Sequence, residues 1–112
     1  MVTPTVGSVV LVRFPFSDLS ASKLRPAVVL AGVDRDDWIL CQITSNAYAD
    51  PRAIEIATSD FASGNLMRTS YARPGKLFSA NTSLMQRIAG DLAQPKLVTV
   101  IDAVIAILRA ET

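Results

Sequence analysis

Apolar and polar residues alternate along much of the chain, in the pattern that half-buried β-strands produce. Residues 9–14 alternate cleanly and predict a first strand, whereas residues 15–25 have no apolar period and predict a long loop. Two apolar, β-branched runs follow at 26–33 and 38–45, and the acidic turn between them is typical of a hairpin. The first half of the chain therefore predicts an antiparallel meander.

The second half continues this pattern in shorter segments. Residues 54–56 predict a short strand, and residues 60–64 break the pattern. A further strand at 69–73 is expected to end in a turn at 74–75, and the last strand is expected over 84–92. Short, closely spaced strands favour a small β-barrel over a sheet built from βαβ units.

The C-terminal segment has the period of a helix. Pro95 is a favoured first helical residue, and apolar residues recur after it at helical spacing: Leu97, Ile101, Val104 and Leu108. The pattern predicts a barrel over about 5–93 and one terminal helix over about 95–109. The apolar face of this helix is broad. Burial of the whole face within one chain explains this width. Contact of one part with the barrel and of another part with a second subunit explains it equally well.

The composition limits the chain to one folded domain. Its 112 residues are 50% hydrophobic and 19% charged, which provides a core and argues against intrinsic disorder. The longest apolar stretch, at 98–108, contains Asp102 and is shorter than the about 20 residues that a bilayer span needs. One cysteine allows no internal disulfide, and no signal-peptide pattern opens the chain. We therefore expect a single cytoplasmic domain over residues 1–112, without a membrane partner.

The titratable residues restrict the chemistry further. The chain has no histidine, which removes the commonest general base and metal ligand. Cys41 lies in an apolar run, as a core thiol does, and the acidic turn at 34–37 lacks the glycine and distal glutamate of a calcium loop. We therefore expect no metal and no cofactor. A net charge of +1 gives no global attraction to nucleic acid, so a polyanion site requires a local cluster of cations.

Two segments carry side chains suited to phosphate chemistry. Lys23 and Arg25 precede Pro26. The proline holds Arg25 in an extended conformation and so gives its guanidinium a defined direction. A guanidinium is a planar fork of donors that fits phosphate oxygens. The strand end at residues 44–46 supplies two hydroxyls and an amide that could bind a phosphodiester and orient an attacking group. Solvated loops and ordinary strand ends show the same patterns.

A third segment, residues 61–90, contains cations but no Asp or Glu. Its cations are Arg68, Arg73, Lys76 and Arg87, with Tyr71 and Phe78 among them. The cations of such a segment can contact the backbone of a single-stranded nucleic acid while its aromatic side chains stack on the bases. An ordinary solvated sheet face has the same composition. The residues alone therefore indicate a small β-barrel with a terminal helix and a candidate anion site.

Several segments in a fixed order resemble one protein family. They are residues 7–12 (GSVVLV), 14–18 (FPFSD), 23–30 (KLRPAVVL), 41–45 (CQITS), 60–61 with Gly64, 70–71 with 73–74, 76–78 (KLF), and 84–92 with the following helix. Together they are similar to the MazF/PemK family of toxins from bacterial toxin–antitoxin pairs, over nearly the whole chain.

The resemblance implies a mainly β (α+β) fold: an SH3-like barrel of the CcdB/MazF/PemK type with short helical turns and one C-terminal helix. It implies a symmetric homodimer and an endoribonuclease, or mRNA interferase, that cuts single-stranded RNA at short sequences and arrests growth. The partner that it implies is a cognate, MazE-like antitoxin whose flexible tail lies over the RNA-binding surface.

For individual residues, the resemblance implies that Arg25 and Thr44 are the catalytic pair. Products with a 2′,3′-cyclic phosphate and a 5′-hydroxyl imply attack by the RNA's own 2′-hydroxyl, without a metal. Because a guanidinium stays protonated, we expect Arg25 to stabilise charge on the phosphorane, and Thr44 to bind the phosphate or place the 2′-hydroxyl. Further RNA contacts are expected from Lys23, Ser45, Asn46, Arg73 and Lys76. Either Arg73 or Lys76 matches a second functional arginine of some family members.

Two other functions fit the same fold. One is a CcdB-like toxin, which binds gyrase. A gyrase-binding surface does not require Arg25 and Thr44, and this C terminus lacks the Trp-Gly-Ile ending of the CcdB type. A non-catalytic barrel predicts tight binding of RNA or peptide without any product. For a ribonuclease, we expect base preference to lie in the loops at 17–23 and 47–52.

Overall fold

The computed structural model describes residues 2–15, 22–47 and 49–111. Seven strands and one helix form its framework: β1 (Ser8–Pro15), β2 (Ser22–Asp34), β3 (Asp37–Thr44), β4 (Ile54–Ile56), β5 (Phe61–Gly64), β6 (Ser70–Asn81), β7 (Met85–Leu92) and α1 (Gln94–Leu108). Two single turns of 3-10 helix, Thr58–Asp60 and Thr82–Leu84, precede β5 and β7. The short helical turns and the one terminal helix that the sequence predicts are thus confirmed.

All strands belong to one curled antiparallel sheet in the order β4-β6-β3-β2-β1-β7-β5. Within the described residues, the pairing ends at β4 on one side and at β5 on the other, so the sheet is a half-barrel. The predicted mainly β barrel-like fold with its C-terminal helix is confirmed.

Two hydrophobic clusters hold the sheet together. Adjacent residues such as Val9 and Val10 belong to different clusters, because successive side chains of a strand point to opposite faces. Helix α1 packs into the cluster around Val9 through Leu97 and Val100, both of which are buried. The predicted helical stripe therefore fixes α1 on one face of the sheet. No helix in the described ranges is long and apolar enough to cross a membrane.

The structure corrects two predicted breaks. Residues 60–64 do not simply interrupt the strand pattern, because β5 starts at Phe61 and pairs with β7. The predicted turn at 74–75 is wrong, since β6 runs through Pro74 and Gly75 without interruption. Here the register between β3 and β6 shifts between Cys41 and Ile43, so Pro74 lies at a bulge, where its missing N–H breaks no ladder bond.

The predicted loop at 15–25 ends earlier than expected. Residues 16–21 lie outside the described part, but β2 already begins at Ser22, and Arg25 pairs with Val12 of β1. Lys23, Leu24 and Arg25 are exposed, so this part of β2 carries no apolar pattern and is held by its backbone pairing instead. Arg25 therefore stands on a paired strand, which is a more rigid support than a loop.

Candidate active site

An open cleft of about 320 Å³ lies over one end of the sheet. Strands β1, β2, β3, β6 and β7 and the connection between β5 and β6 all contribute to it. Its lining residues are Leu11, Leu24, Arg25, Pro26, Ile43, Thr44, Ser45, Asn65, Leu66, Met67, Arg68, Ser70, Arg87 and Ala89. The cleft thus brings together three of the residues singled out from the sequence, namely Arg25, Thr44 and Ser45.

The register of the sheet explains why Arg25 and Thr44 meet. Ala27 of β2 pairs with Gln42 of β3 in an antiparallel ladder. Moving two residues outward along each strand reaches Arg25 and Thr44 at the same level of neighbouring strands. A cation and a hydroxyl far apart in sequence therefore face one cleft on rigid supports.

The hydroxyl of Thr44 already has a structural role. It donates to the carbonyl oxygen of Asn46 at 3.1 Å and accepts from the backbone N–H of Asn46 at 3.2 Å. A hydroxyl has one proton to donate and two lone pairs, so one acceptor position of Thr44 is left after these two bonds. The turn after β3 thus fixes the direction of the hydroxyl at the cleft.

The cleft is cationic. Arg25, Arg68 and Arg87 line it, whereas none of its described lining residues is an Asp or a Glu. Arg87 reaches it from β7, where it pairs with Leu11 of β1, and Arg68 precedes β6. Neither arginine was singled out individually from the sequence, although both belong to the acid-free run at 61–90. That run was the available signal, and only the folding of the sheet shows which of its cations share a site.

Four other residues expected at the RNA do not line the cleft. Lys23 and Lys76 are exposed elsewhere on β2 and β6, and Asn46 contributes through its bonds to Thr44. Arg73 donates from Nε to Asp50 Oδ2 at 2.8 Å and from an Nη to Gln42 Oε1 at 3.3 Å. The guanidinium of Arg73 therefore ties the segment after β3 to the sheet.

This ion pair predicts a specific acid sensitivity. The side chain of Arg73, followed by the backbone N–H of Arg52, holds the pKa of Asp50 below its ordinary value of 3.8. A carboxyl with a lower pKa in the folded chain stabilises the fold above its unfolded pKa, and this contribution is lost as the pH falls through the folded pKa. Between pH of about 5 and about 2, we therefore expect a loss of up to about 1 kcal/mol in the free energy of unfolding from this pair.

The measurement is urea unfolding at stepped pH values, with Asp50→Asn beside the wild type. The variant should lose less stability on acidification than the wild type. Asp102→Asn, on the exposed side of α1, is the matched control and should follow the wild-type curve. Parallel curves for Asp50→Asn and the wild type would contradict the role of the pair.

Cys41 is part of the core. It is fully buried, and its thiol donates to the carbonyl oxygen of Arg73 at 3.2 Å. Burial raises its pKa to about 11, so the thiol stays protonated at neutral pH. The acidic turn between β2 and β3 is exposed, and no three His, Cys, Asp or Glu side chains of the described residues form a metal-binding group.

The sequence over residues 5–108 matches the family model of the PemK-like, MazF-like toxin of type II toxin–antitoxin systems. Among curated proteins, none matches the sequence. Solved structures with the same fold include MazF of Deinococcus radiodurans, with a TM-score of 0.76 at 17% identity over 97% of this chain and 99% of that one.

Two further structures are complexes. The MazE-MazF complex of the same organism has a TM-score of 0.75 at 18% identity, over 95% of this chain and 96% of that one. An endoribonuclease with its cognate antitoxin from a mycobacterial species has a TM-score of 0.74 at 13% identity, over 96% of both chains. The fold agrees with these structures, and since the family model spans nearly the whole sequence, the chain belongs to the PemK/MazF family of type II toxins.

Proposed function

We propose that this toxin is a sequence-selective endoribonuclease that cleaves single-stranded RNA in the cytoplasm without a metal ion. The observation that carries the proposal is the cleft in which Arg25 and Thr44 lie with two further arginines and, among its described lining residues, no carboxylate. Such a cleft attracts a polyanion, and it offers a hydroxyl and a guanidinium at one place.

The reaction requires an exchange of two bonds at one phosphorus. The 2′-oxygen of the RNA bonds to phosphorus as the P–O5′ bond breaks. The 2′-hydroxyl proton is lost and O5′ gains a proton, which gives a 2′,3′-cyclic phosphate and a 5′-hydroxyl. Negative charge develops on the equatorial oxygens of the phosphorane. Arg25 cannot act as a base because its guanidinium stays protonated, so its role is to bind these oxygens.

Thr44 serves as the positioning partner of Arg25. Its remaining lone pair can accept a hydrogen bond from the 2′-hydroxyl and so orient the attacking oxygen. To donate to the phosphate instead, the hydroxyl exchanges its bond to the Asn46 carbonyl for one to the substrate. Ser45 lines the same cleft, and its proposed role is to contact the neighbouring phosphate.

The test incubates the purified protein with a long single-stranded RNA in EDTA and maps the cut ends. We expect discrete cuts that carry cyclic phosphates, and no cut where the nucleotide 5′ to the scissile bond has a 2′-O-methyl group. A folded wild-type protein that leaves the RNA whole would overturn the proposal. Strong RNA binding without product would then indicate the non-catalytic barrel, and gyrase inhibition the CcdB-like function.

We also propose a cognate antitoxin as the partner of this chain. Two solved relatives of the same fold are complexes, one of MazE with MazF and one of an endoribonuclease with its antitoxin. An antitoxin tail that follows the cleft would cover Arg25 and Thr44 together, because both open to the same 320 Å³ space. On this proposal, an antitoxin tail in the cleft suppresses cleavage by keeping RNA away from both residues.

A symmetric homodimer completes the proposed assembly. An apolar groove of about 200 Å³ lies between α1 and the sheet. It is lined by Leu30, Ala31, Ile39, Leu77, Ile101, Val104, Ile105 and Leu108. Leu108 is 73% exposed and Leu77 and Ile105 are partly exposed, so the apolar face of α1 continues beyond what the chain itself covers. A second copy is the occupant that the family resemblance implies.

Leu108→Asp tests this dimer without disturbing the core, because the side chain is mostly exposed. A carboxylate buried in an apolar interface should raise the dimer dissociation constant by about 30-fold or more. Sedimentation velocity should then show a dimer for the wild type and a monomer for the variant at equal concentration. Thr99→Asp, on the opposite side of α1, is the control and should remain dimeric. A well-folded wild-type monomer would contradict the homodimer.

A further inference from the structure

The connection between β5 and β6 forms a defined turn beside the candidate active site. Gly64, at the end of β5, has a φ of +66° and packs against the backbone of Ala89 and Gly90 in β7. The backbone N–H of Met67 donates to Asn65 Oδ1 at 2.8 Å, and Ser70 Oγ donates to the Arg68 carbonyl at 3.3 Å. Residues 65–68, here called the β5–β6 loop, therefore have a defined position at the cleft.

Met67 is the unusual residue of this loop. It is not a glycine, yet its φ is +71°, in the left-handed region that L-residues with a Cβ avoid. Its side chain is 90% exposed, the highest exposure of any large hydrophobic side chain in the described residues. The side chain buries almost nothing, so core packing does not explain its position. Backbone strain that holds an apolar side chain in solvent beside a cleft points to a ligand-binding role.

The neighbours of Met67 indicate the chemistry of that ligand. Arg68 and Arg87 line the same cleft, and a guanidinium binds phosphate oxygens through paired N–H donors. The thioether of Met67 is polarisable and packs well against aromatic rings. A nucleotide presents both groups at once, an aromatic base and an anionic phosphate. The loop thus combines a flat-ring contact and an anion contact on adjacent residues.

We propose that the β5–β6 loop is a nucleotide-binding subsite, in which Met67 packs on the base next to the scissile phosphate and Arg68 binds the phosphate of that nucleotide. This inference rests on the proposed ribonuclease function and adds a specificity element to it. It adds residues 65–68 to the loops at 17–23 and 47–52, in which we expect base preference from the sequence. Met67 contributes the preference among bases, because stacking contact differs with the size of the ring.

The first test compares cleavage of short RNAs that contain one mapped cut site and differ only in a base beside it. The wild type should prefer one base at one flanking position. Met67→Ala should lose this preference by about 3–10-fold at that position, because its kcat/KM on the preferred RNA falls toward that on the other RNAs. Met67→Leu retains an apolar side chain of similar size and is the matched control, which should keep most of the preference. Unchanged selectivity in Met67→Ala would overturn the subsite.

The second test measures binding separately from cleavage. Oligonucleotides fully 2′-O-methylated cannot supply an attacking 2′-hydroxyl, so fluorescence anisotropy reports their affinity alone. Arg68→Gln should reduce the steepness of the plot of log association constant against log salt concentration by about one unit of slope. Arg109→Gln, at the end of α1, should leave the slope unchanged. Equal slopes for Arg68→Gln and the wild type would overturn the phosphate contact.

The two tests also separate this inference from the ribonuclease proposal. If the wild type leaves every RNA whole, the ribonuclease proposal fails, and the anisotropy series still decides whether the loop binds nucleotides. Oligonucleotides with one abasic position then replace the cleavage assay. Met67→Ala should weaken binding of the intact oligonucleotide and leave binding unchanged when the contacted base is missing. Equal weakening with and without that base would overturn the subsite.

Discussion

Arg25→Ala should reduce the kcat of RNA cleavage by about 10²–10³-fold, the usual cost of removing one preorganised donor from a developing negative charge. The effect should fall mainly on kcat, because the guanidinium interacts more strongly with the phosphorane than with the ground-state phosphate. Arg68 and Arg87 remain in the cleft of this variant and keep most of its attraction for RNA. Single-turnover kinetics on a short RNA with one cut site measures the change.

Two further variants make this result specific. Arg25→Lys retains a positive charge but not the planar fork of donors, so its rate should lie between those of the wild type and Arg25→Ala. Arg109→Ala removes an exposed cation outside the cleft and should keep the wild-type rate. A rate for Arg25→Ala within a few-fold of the wild type would remove Arg25 from the reaction.

Gly64→Ala should lower the free energy of unfolding by about 2–4 kcal/mol, through backbone strain and overpacking together. A Cβ at Gly64 would overlap the carbonyl oxygen of Ala89 and lie 2.7 Å from the Gly90 Cα. The φ of +66° adds the penalty that a side chain meets in the left-handed region. Both neighbours are backbone atoms, so the clash can be relieved only by moving β5 away from β7.

The matched control is Gly75→Ala. Gly75 lies in β6, and nothing stands within 4 Å of the position that its Cβ would occupy. Urea unfolding followed by Trp38 fluorescence should place the midpoint of Gly75→Ala close to the wild type and that of Gly64→Ala well below it. Equal midpoints for the two variants would show that the β5–β7 crossing tolerates a side chain.

The sequence is informative where one period continues over many residues. The first strand, the hairpin around the acidic turn and the terminal helix are predictable because their apolar positions repeat at two or at helical spacing. The predicted helix over about 95–109 differs from the observed Gln94–Leu108 by one residue at each end. Each of these elements buries a continuous row of apolar side chains, so its period can be recognised in the sequence.

Local composition is less informative where backbone pairing decides the structure. Residues 23–25 of β2 are exposed, and β5 has four residues, so neither presents an apolar period. Pro74 and Gly75 have the composition of a turn, but the register shift opposite Gln42 absorbs them into β6. Such outcomes depend on the partner strand, which a local pattern does not contain.

The candidate site divides in the same way. Arg25 and Thr44 can be found from the sequence because each belongs to a motif of the family resemblance, and the register then brings them to one cleft. Arg73 and Arg68 are both cations in the acid-free run, and the resemblance favours Arg73 as the RNA contact. Only the fold shows that Arg73 pairs with Asp50 whereas Arg68 lines the cleft.

The two outer strands of the half-barrel are very short, with three residues in β4 and four in β5. A short edge offers few unpaired backbone groups, so another extended chain gains little by adding itself as a further strand. β4 and β5 are therefore poor sites for adding a strand, although β4 covers β6 only at residues 70–72. Edge strands this short are among the features by which natural sheets limit edge-to-edge aggregation.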